Sequence, residues 1–209
     1  MPKKFPHYYQ PDTMDCGPTC LRIIAKHYGR AISLSKLRAL SQTTREGSSL
    51  KNIADTAEKI GFRALGVKVN FKKLQKEAPL PCIVYWRQQH FVVVYAIKKR
   101  SSFLSSIKKA LSGGKVLPFG EGLGGASVYI SDPAHGLLTY TPTEFIKNWI
   151  GGNADEHTEE GIALLLETTP KLNYPEDDDI ENTQGMAFLY QYLVKYKKFI
   201  IQLAVGLLA

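Results

Sequence analysis

Gln10-Pro11-Asp12-Thr13-Met14-Asp15-Cys16-Gly17-Pro18-Thr19-Cys20-Leu21 is the stretch on which the reading of this chain turns. Proline keeps its first residues extended, and from Cys16 onward the pattern becomes helical. Leu21, Ile24 and Tyr28 fall on one stripe, and Gly29 stops the run. Asp15 stands where an N-cap belongs, and Pro18 is tolerated in a first turn because its missing N–H has no partner there anyway. Cys16 is therefore expected at a helix N-terminus, where the partial positive charge favours the thiolate, the nucleophilic form. Taken alone, a cysteine in such a place is more often a small buried hydrophobe.

Other residues shift that balance. His90 opens the apolar run His90-Phe91-Val92-Val93-Val94-Tyr95, straight after the polar Arg87-Gln88-Gln89. A histidine at a strand mouth sits on a rigid element yet faces a cleft, as a general base must. The remaining histidines are weaker candidates: His7 lies in a Pro-flanked tail, His27 in a last helical turn, and His135 and His157 in loops. Asp132 ends the next strand, within Ser131-Asp132-Pro133-Ala134-His135-Gly136. If the two strands are neighbours, Asp132 can hydrogen-bond the His90 ring and fix its tautomer, as the orienting member of a nucleophile–base set. An aspartate before proline is also a common turn residue in its own right. Gln10, six positions upstream of Cys16, carries a side-chain amide that can donate to an oxyanion formed when Cys16 attacks a carbonyl. By itself it is a surface glutamine.

Around these residues the chain reads as helices followed by strands. Helices are expected over 16–28, over 34–40 after Ser33, and over 50–60, where Leu50, Ile53, Ala54, Ala57 and Ile60 line one face and Gly61 ends the run. Strands are expected over 62–69, 81–86, 90–97, 127–132, 137–140 and 162–167. A further short helix starts at Thr141-Pro142-Thr143-Glu144, a capping box with proline in the first turn. The fold class is α+β, with N-terminal helices packed on a mostly antiparallel sheet.

The segments around Cys16, His90 and Asp132, in that order, resemble the peptidase domain of bacteriocin-processing ABC transporters, over roughly residues 5–167. That family consists of papain-like cysteine peptidases that remove double-glycine leaders from peptides about to be exported. The resemblance implies a papain-like fold, Cys16 as nucleophile, His90 as base and later acid, Asp132 as orienter and Gln10 as oxyanion donor. It also implies a leader precursor as substrate and transporter membrane and ATPase domains as partners, in the same full-length chain. The peptidase would then work in the cytosol, at the inner membrane. Non-catalytic docking domains of exporters and free-standing papain-like hydrolases are the alternatives. The leader is expected to bind as an amphipathic helix, with Tyr85, Trp86 and Tyr140 as candidates for its groove.

The stretch between His90 and Asp132 is longer than two adjacent strands need, and the surplus is a Ser/Gly-rich insertion at about 101–126. Within it Phe103, Leu104, Ile107 and Leu111 keep helical spacing, and Gly113 can cap. Thus 1–168 reads as the peptidase domain, 169–185 as an acidic linker, and 186–209 as the start of a membrane region. The last of these is basic and aromatic, then apolar from Phe199, in the order of a cytoplasmic flank and a membrane helix. The apolar run would rise only about 16 Å as helix, about half a bilayer core, so it reads as truncated.

The composition narrows the remaining choices. Over 209 residues, a hydrophobic share of 44% and a charged share of 22% describe a folded domain and exclude wholesale disorder. Three cysteines are too few for a disulfide scaffold, and the N-terminus lacks the apolar core of a secretory signal. Lys and Arg number 27 against 19 Asp and Glu, a net charge of +8 that suits an acidic partner or an anionic membrane face. No nucleic-acid motif accompanies that charge, so nucleic acid is not an expected partner. Leu111-Ser112-Gly113-Gly114 matches the signature peptide of ABC ATPases, but no phosphate loop is present in the chain. No cofactor or metal is expected for the peptidase domain: Cys16 and Cys20 lack a second ligand pair, and ATP would enter only with a following ATPase domain.

Overall fold

Short polar side chains start the helices, as the caps in the sequence suggest. Ser33 Oγ accepts the Lys36 N–H, Ser49 Oγ accepts the Asn52 N–H, and Asn70 Oδ1 accepts the Lys73 N–H at 2.9 Å. The structure, a computed structural model, describes residues 5–87, 89–99, 126–150, 160–173 and 197. Along the chain run α1 (Cys16–His27), α2 (Leu34–Leu40), α3 (Leu50–Lys59), β1 (Phe62–Asn70), α4 (Phe71–Glu77), β2 (Cys82–Trp86), β3 (His90–Lys99), β4 (Ala126–Asp132), β5 (Gly136–Tyr140), α5 (Pro142–Ile150) and β6 (Glu160–Thr168).

The strands form one antiparallel sheet in the order β1-β6-β2-β3-β4-β5. Successive residues of a strand face opposite sides, and here both sides are covered. Phe91 and Val93 of β3 join Ile83, Leu164 and Leu166 against α1 and α3, where Leu21, Ile24, Ile53 and Ala57 are buried. Val92 and Val94 join Val84, Trp86 and Ile130 against α4 and α5, through Leu74, Phe145 and Trp149. That double coverage explains why β3 reads as an unbroken apolar run rather than an alternating one.

The pairing places the site. β2 and β3 form a hairpin in which Trp86 opposes His90, and Val93 opposes Ser131 across β3 and β4. The mouth of β3 therefore lies beside the end of β4, as the sequence led us to expect for His90 and Asp132.

The expected helices and strands are present, with ends within about two residues. Missing from the expectation is α4, a helix too short to establish a periodic pattern; Phe71 and Leu74 at i and i+3 bury it, and Asn70 caps it. Tyr28, assigned to the buried stripe of α1, is its C-cap residue and lies exposed. The folded body also continues past the boundary at 168. Pro170–Asn173 forms a 3₁₀ turn that buries Leu172, and the Thr169 N–H and hydroxyl both donate to the Gly61 carbonyl, at 3.0 and 2.8 Å. Of the expected linker, 169–173 is thus part of the domain. Of the insertion expected at about 101–126, Ala126 already belongs to β4, while 101–125 with its helical pattern, the rest of the acidic linker and the apolar end at 199–209 lie outside the described residues. Among those described, no helix is long and apolar enough to cross a membrane.

Gly61 gives a direct check on this docking. Its φ of +101° is in the region that disfavours a side chain, and a Cβ there would lie 2.5 Å from the Leu172 backbone nitrogen. Gly61→Ala is expected to destabilise the fold by roughly 2–4 kcal/mol in urea or thermal unfolding, combining backbone strain with a clash against unyielding backbone. An unchanged midpoint would contradict the packing of 169–173.

Candidate active site

A hydrogen-bonded turn delivers the chain to Cys16. Residues Thr13–Asp15 form a 3₁₀ turn in which the Asp15 N–H donates to the Asp12 carbonyl and the Asp12 N–H to Asp15 Oδ2, both at 3.1 Å. Asp15 occupies the N-cap position of α1, as the sequence suggested, but not as a side-chain cap. Its side chain makes no bond to that helix's amides; it is buried and held by Arg38 of α2 through a two-pronged ion pair, with Nε donating to Oδ1 at 2.6 Å and Nη2 to Oδ2. The aspartate thus shapes the turn ahead of the cysteine and ties it to α2. Arg38 lies 23 residues from Asp15, and no local pattern announces it.

Cys16 is the first residue of α1 and 7% exposed. The next residue packs closely on α3: a Cβ on Gly17 would lie 2.5 Å from Ile53 Cδ1, so that side chain would have to shift to admit one. The first amides of α1 lack carbonyl partners within that helix, as at any helix N-terminus.

His90 faces Cys16 on one side and Asp132 on the other. Its Nε2 is 2.8 Å from Asp132 Oδ1, and Cys16 lies close enough to act on the same ring. Burial of the ring works against its protonation, yet the hydrogen bonds and charges of Asp132 and Cys16 outweigh it and raise His90 to about 9. For Asp132, burial pushes upward, but hydrogen bonds from His90, the Ala134 amide and His135 dominate and hold it at about 2. Both shifts favour the charged pair, imidazolium on His90 and carboxylate on Asp132.

Gln10 is held near this group by its backbone, whose N–H donates to the Pro133 carbonyl at 2.9 Å. Its Nε2 makes only a long contact of 3.4 Å to the Thr13 carbonyl, and its Oε1 is buried without a partner. His7 Nδ1 meets Ser131 Oγ at 2.8 Å. The N-terminal segment thus straps the end of β4.

The other thiols have different surroundings. Cys20, one turn after Cys16, is fully buried and donates to the Phe91 carbonyl at 3.3 Å, linking α1 to β3 beside His90. Burial, and then the charges of Cys16 and Asp132, push its thiol well up. Cys82 lies in the core under α5, where burial pushes it up to about 12. All three cysteines are free. Among the described residues no cluster of His, Cys, Asp or Glu could hold a metal ion.

The three aromatic residues proposed to line a leader groove do not share a surface. Trp86 is buried on the α5 side against Tyr140 and Phe145, at ring distances of 5.6 and 5.4 Å. Tyr85, the adjacent residue, turns to the α1 side and packs on Phe91. Strand alternation separates them, and Trp86 is a core residue.

Comparison with known proteins gives these features a family. Residues 4–111, just over half of the chain, match the Peptidase C39 family. The lactococcin-G-processing and transport ATP-binding protein of Lactococcus lactis subsp. lactis is 32% identical over 198 residues, which are 92% of this chain and 22% of that protein. The colicin V secretion/processing ATP-binding protein of Escherichia coli is 33% identical over 99 residues, 46% of this chain and 14% of the relative. The chain therefore spans less than a quarter of the length of these relatives. The crystal structure of a double glycine motif protease from an AMS/PCAT transporter, in complex with the leader peptide, superimposes with a TM-score of 0.59 at 25% identity, covering 79% of this chain and 93% of that one. The peptidase domain of Streptococcus ComA, a bifunctional ABC transporter of a quorum-sensing pathway, does so at 0.57 and 25% identity, covering 79% and 100%. The fold is thus the papain-like α+β arrangement expected from the sequence, and the chain belongs to the Peptidase C39 family, a family of cysteine peptidases.

Proposed function

We propose that this domain is a thiol endopeptidase that cuts precursor peptides after a double glycine, freeing the cargo from its leader during export by an ABC transporter. The observation that carries this reading is the His90–Asp132 pair, hydrogen-bonded at 2.8 Å and set close enough to Cys16 for the sulfur to act on the ring, in a chain whose relatives are named for processing and transport. Four roles follow. Cys16 sulfur attacks the carbonyl of the second glycine. Gln10 Nε2, released from its long contact with Thr13, and the Cys16 amide donate to the oxyanion. His90 protonates the leaving amine as the C–N bond breaks, and the cargo departs with a new N-terminus. His90 then takes a proton from water, whose oxygen attacks the thioester and releases the leader as a carboxylic acid. Asp132 keeps the ring aligned throughout. The reaction consumes only water, so the peptidase steps need no cofactor, and ATP belongs to an ATPase domain elsewhere in the full-length protein.

On this reading the domain's partners are the leader precursor and the membrane and ATPase domains of the transporter. Its place is the cytosolic side of a bacterial inner membrane, with the apolar end at 199–209 leading into the bilayer. Two glycines offer little binding energy, so recognition has to come from the rest of the leader.

The test is cleavage of a synthetic leader–cargo peptide containing Gly-Gly, read by mass spectrometry. The expected products separate directly after the second glycine. A peptide that binds but stays intact would replace the peptidase with a docking domain.

The pH profile is a second expected result. Because His90 is raised to about 9 from 6.5, the imidazolium persists through neutrality, and kcat/KM should fall as pH rises through about 9. The linked stability has the same sign: the His90 contribution is complete below 6.5 and lost as pH rises through about 9. For Asp132, lowered from 3.8 to about 2, the contribution is present above 3.8 and lost as pH falls through about 2. An alkaline limb near 6.5 would mean that Asp132 and Cys16 do not hold the ring as described.

A further inference from the structure

The turn after β4 carries a histidine that the four proposed roles leave unused. His135 Nδ1 lies 2.8 Å from Asp132 Oδ2. The other oxygen, Oδ1, faces His90 Nε2 at 2.8 Å and accepts the Ala134 N–H at 2.8 Å. One carboxylate is thus held by two imidazoles, one on each oxygen. Their settings differ: the side chain of His90 is 21% exposed and that of His135 is 70% exposed. His135 is therefore a solvent-side clamp and contributes little to the core.

The turn itself presents the ring. The His135 N–H donates to the Asp132 carbonyl at 3.1 Å, and Gly136 follows with a φ of +100°. A Cβ on Gly136 would lie 3.2 Å from the Tyr9 hydroxyl, so the N-terminal segment backs the same turn.

The consequence lies in how an aspartate moves. Rotation about its last side-chain bond is soft and nearly two-fold, so a carboxylate held by one oxygen can swing. Both donors on Oδ1 lie at the same end and resist such a swing poorly. A donor on Oδ2 blocks it. We propose that His135 is a positioning residue for the orienting carboxylate: by holding Oδ2 it keeps Oδ1 of Asp132 in line with His90. It needs no contact with the substrate. The inference rests on the proposed function only in giving Asp132 the task of orienting His90.

The test compares His135→Ala and His135→Asn with wild type, the asparagine amide being able to donate from about the position of Nδ1. Two readouts are taken: kcat and KM on a Gly-Gly precursor, and the exchange with water of the His90 Nε2 proton, followed by NMR. The alanine variant is expected to lose about three- to tenfold in kcat, the equivalent of one partly exposed hydrogen bond, with KM unchanged and with faster proton exchange. The asparagine variant should recover most of both. A kcat equal to wild type, unchanged exchange, or an effect confined to KM would overturn the proposal. Should wild type cleave no precursor, the proposed function fails on its own terms, and proton exchange alone then decides whether His135 holds Asp132.

Discussion

Cys16→Ala is expected to bring cleavage of a Gly-Gly precursor down to background, a loss of roughly five to six orders of magnitude in kcat if the enzyme behaves like other hydrolases deprived of their nucleophile. The fold should survive, since one sulfur at a nearly buried helix start is removed and the change in unfolding free energy should stay within about 1 kcal/mol. Neither remaining thiol can take over. Cys20 is fully buried with its proton engaged by the Phe91 carbonyl, and Cys82 sits in the core, pushed up to about 12. Both are poor thiolates without access to a peptide. The check is a single-turnover assay beside thermal melting of both proteins. Residual cleavage at more than about a hundredth of the wild-type rate in a folded variant would mean that the nucleophile is elsewhere.

Asp132→Asn should cost about one to two orders of magnitude in kcat, since an amide oxygen can still accept the ring N–H, as in Cys-His-Asn sites, but holds an imidazolium far less firmly than a carboxylate. The amide would present either an N–H to Nε2, forcing the wrong tautomer, or a neutral oxygen with far less hold on an imidazolium. His90 would also lose the largest influence opposing its burial, so the alkaline limb should move down from about 9. The two effects are separable. A profile that shifts without a loss of rate at its optimum would make Asp132 an electrostatic neighbour only. A loss of rate with an unmoved limb would make it a structural residue.

Much of this site was legible because its members sit where strong local patterns change. Cys16 marks the passage from an extended segment into a helix, and His90 opens the unbroken apolar run of β3. Asp132 closes a strand before proline. These are boundaries that periodicity and turn chemistry define, and the antiparallel pairing of β3 with β4 then joins two of them. What was not legible depends on distance in the chain. The Asp15–Arg38 pair joins the entry turn to α2 and leaves no periodic trace, so Asp15 read as a cap. His135 looked like any loop histidine, since its meaning comes from the second oxygen of Asp132. The short α4 was lost because seven residues cannot show a period. The groove assignment failed for a different reason: Tyr85 and Trp86 are neighbours on a strand and must face opposite sides, a rule the sequence alone already supplied.

Glycine at the cut site, leader recognition and the identity of the nucleophile can be tested together in one measurement. A double-glycine leader peptide ending in a glycyl chloromethyl ketone is incubated with the protein, and the adduct is weighed and mapped. The sulfur displaces chloride, so the protein should gain one peptide less HCl, on Cys16. The gain should disappear in Cys16→Ala and fall sharply when the penultimate glycine is replaced by leucine. An adduct on Cys20 or Cys82, or none at all on folded wild-type protein, would contradict the account.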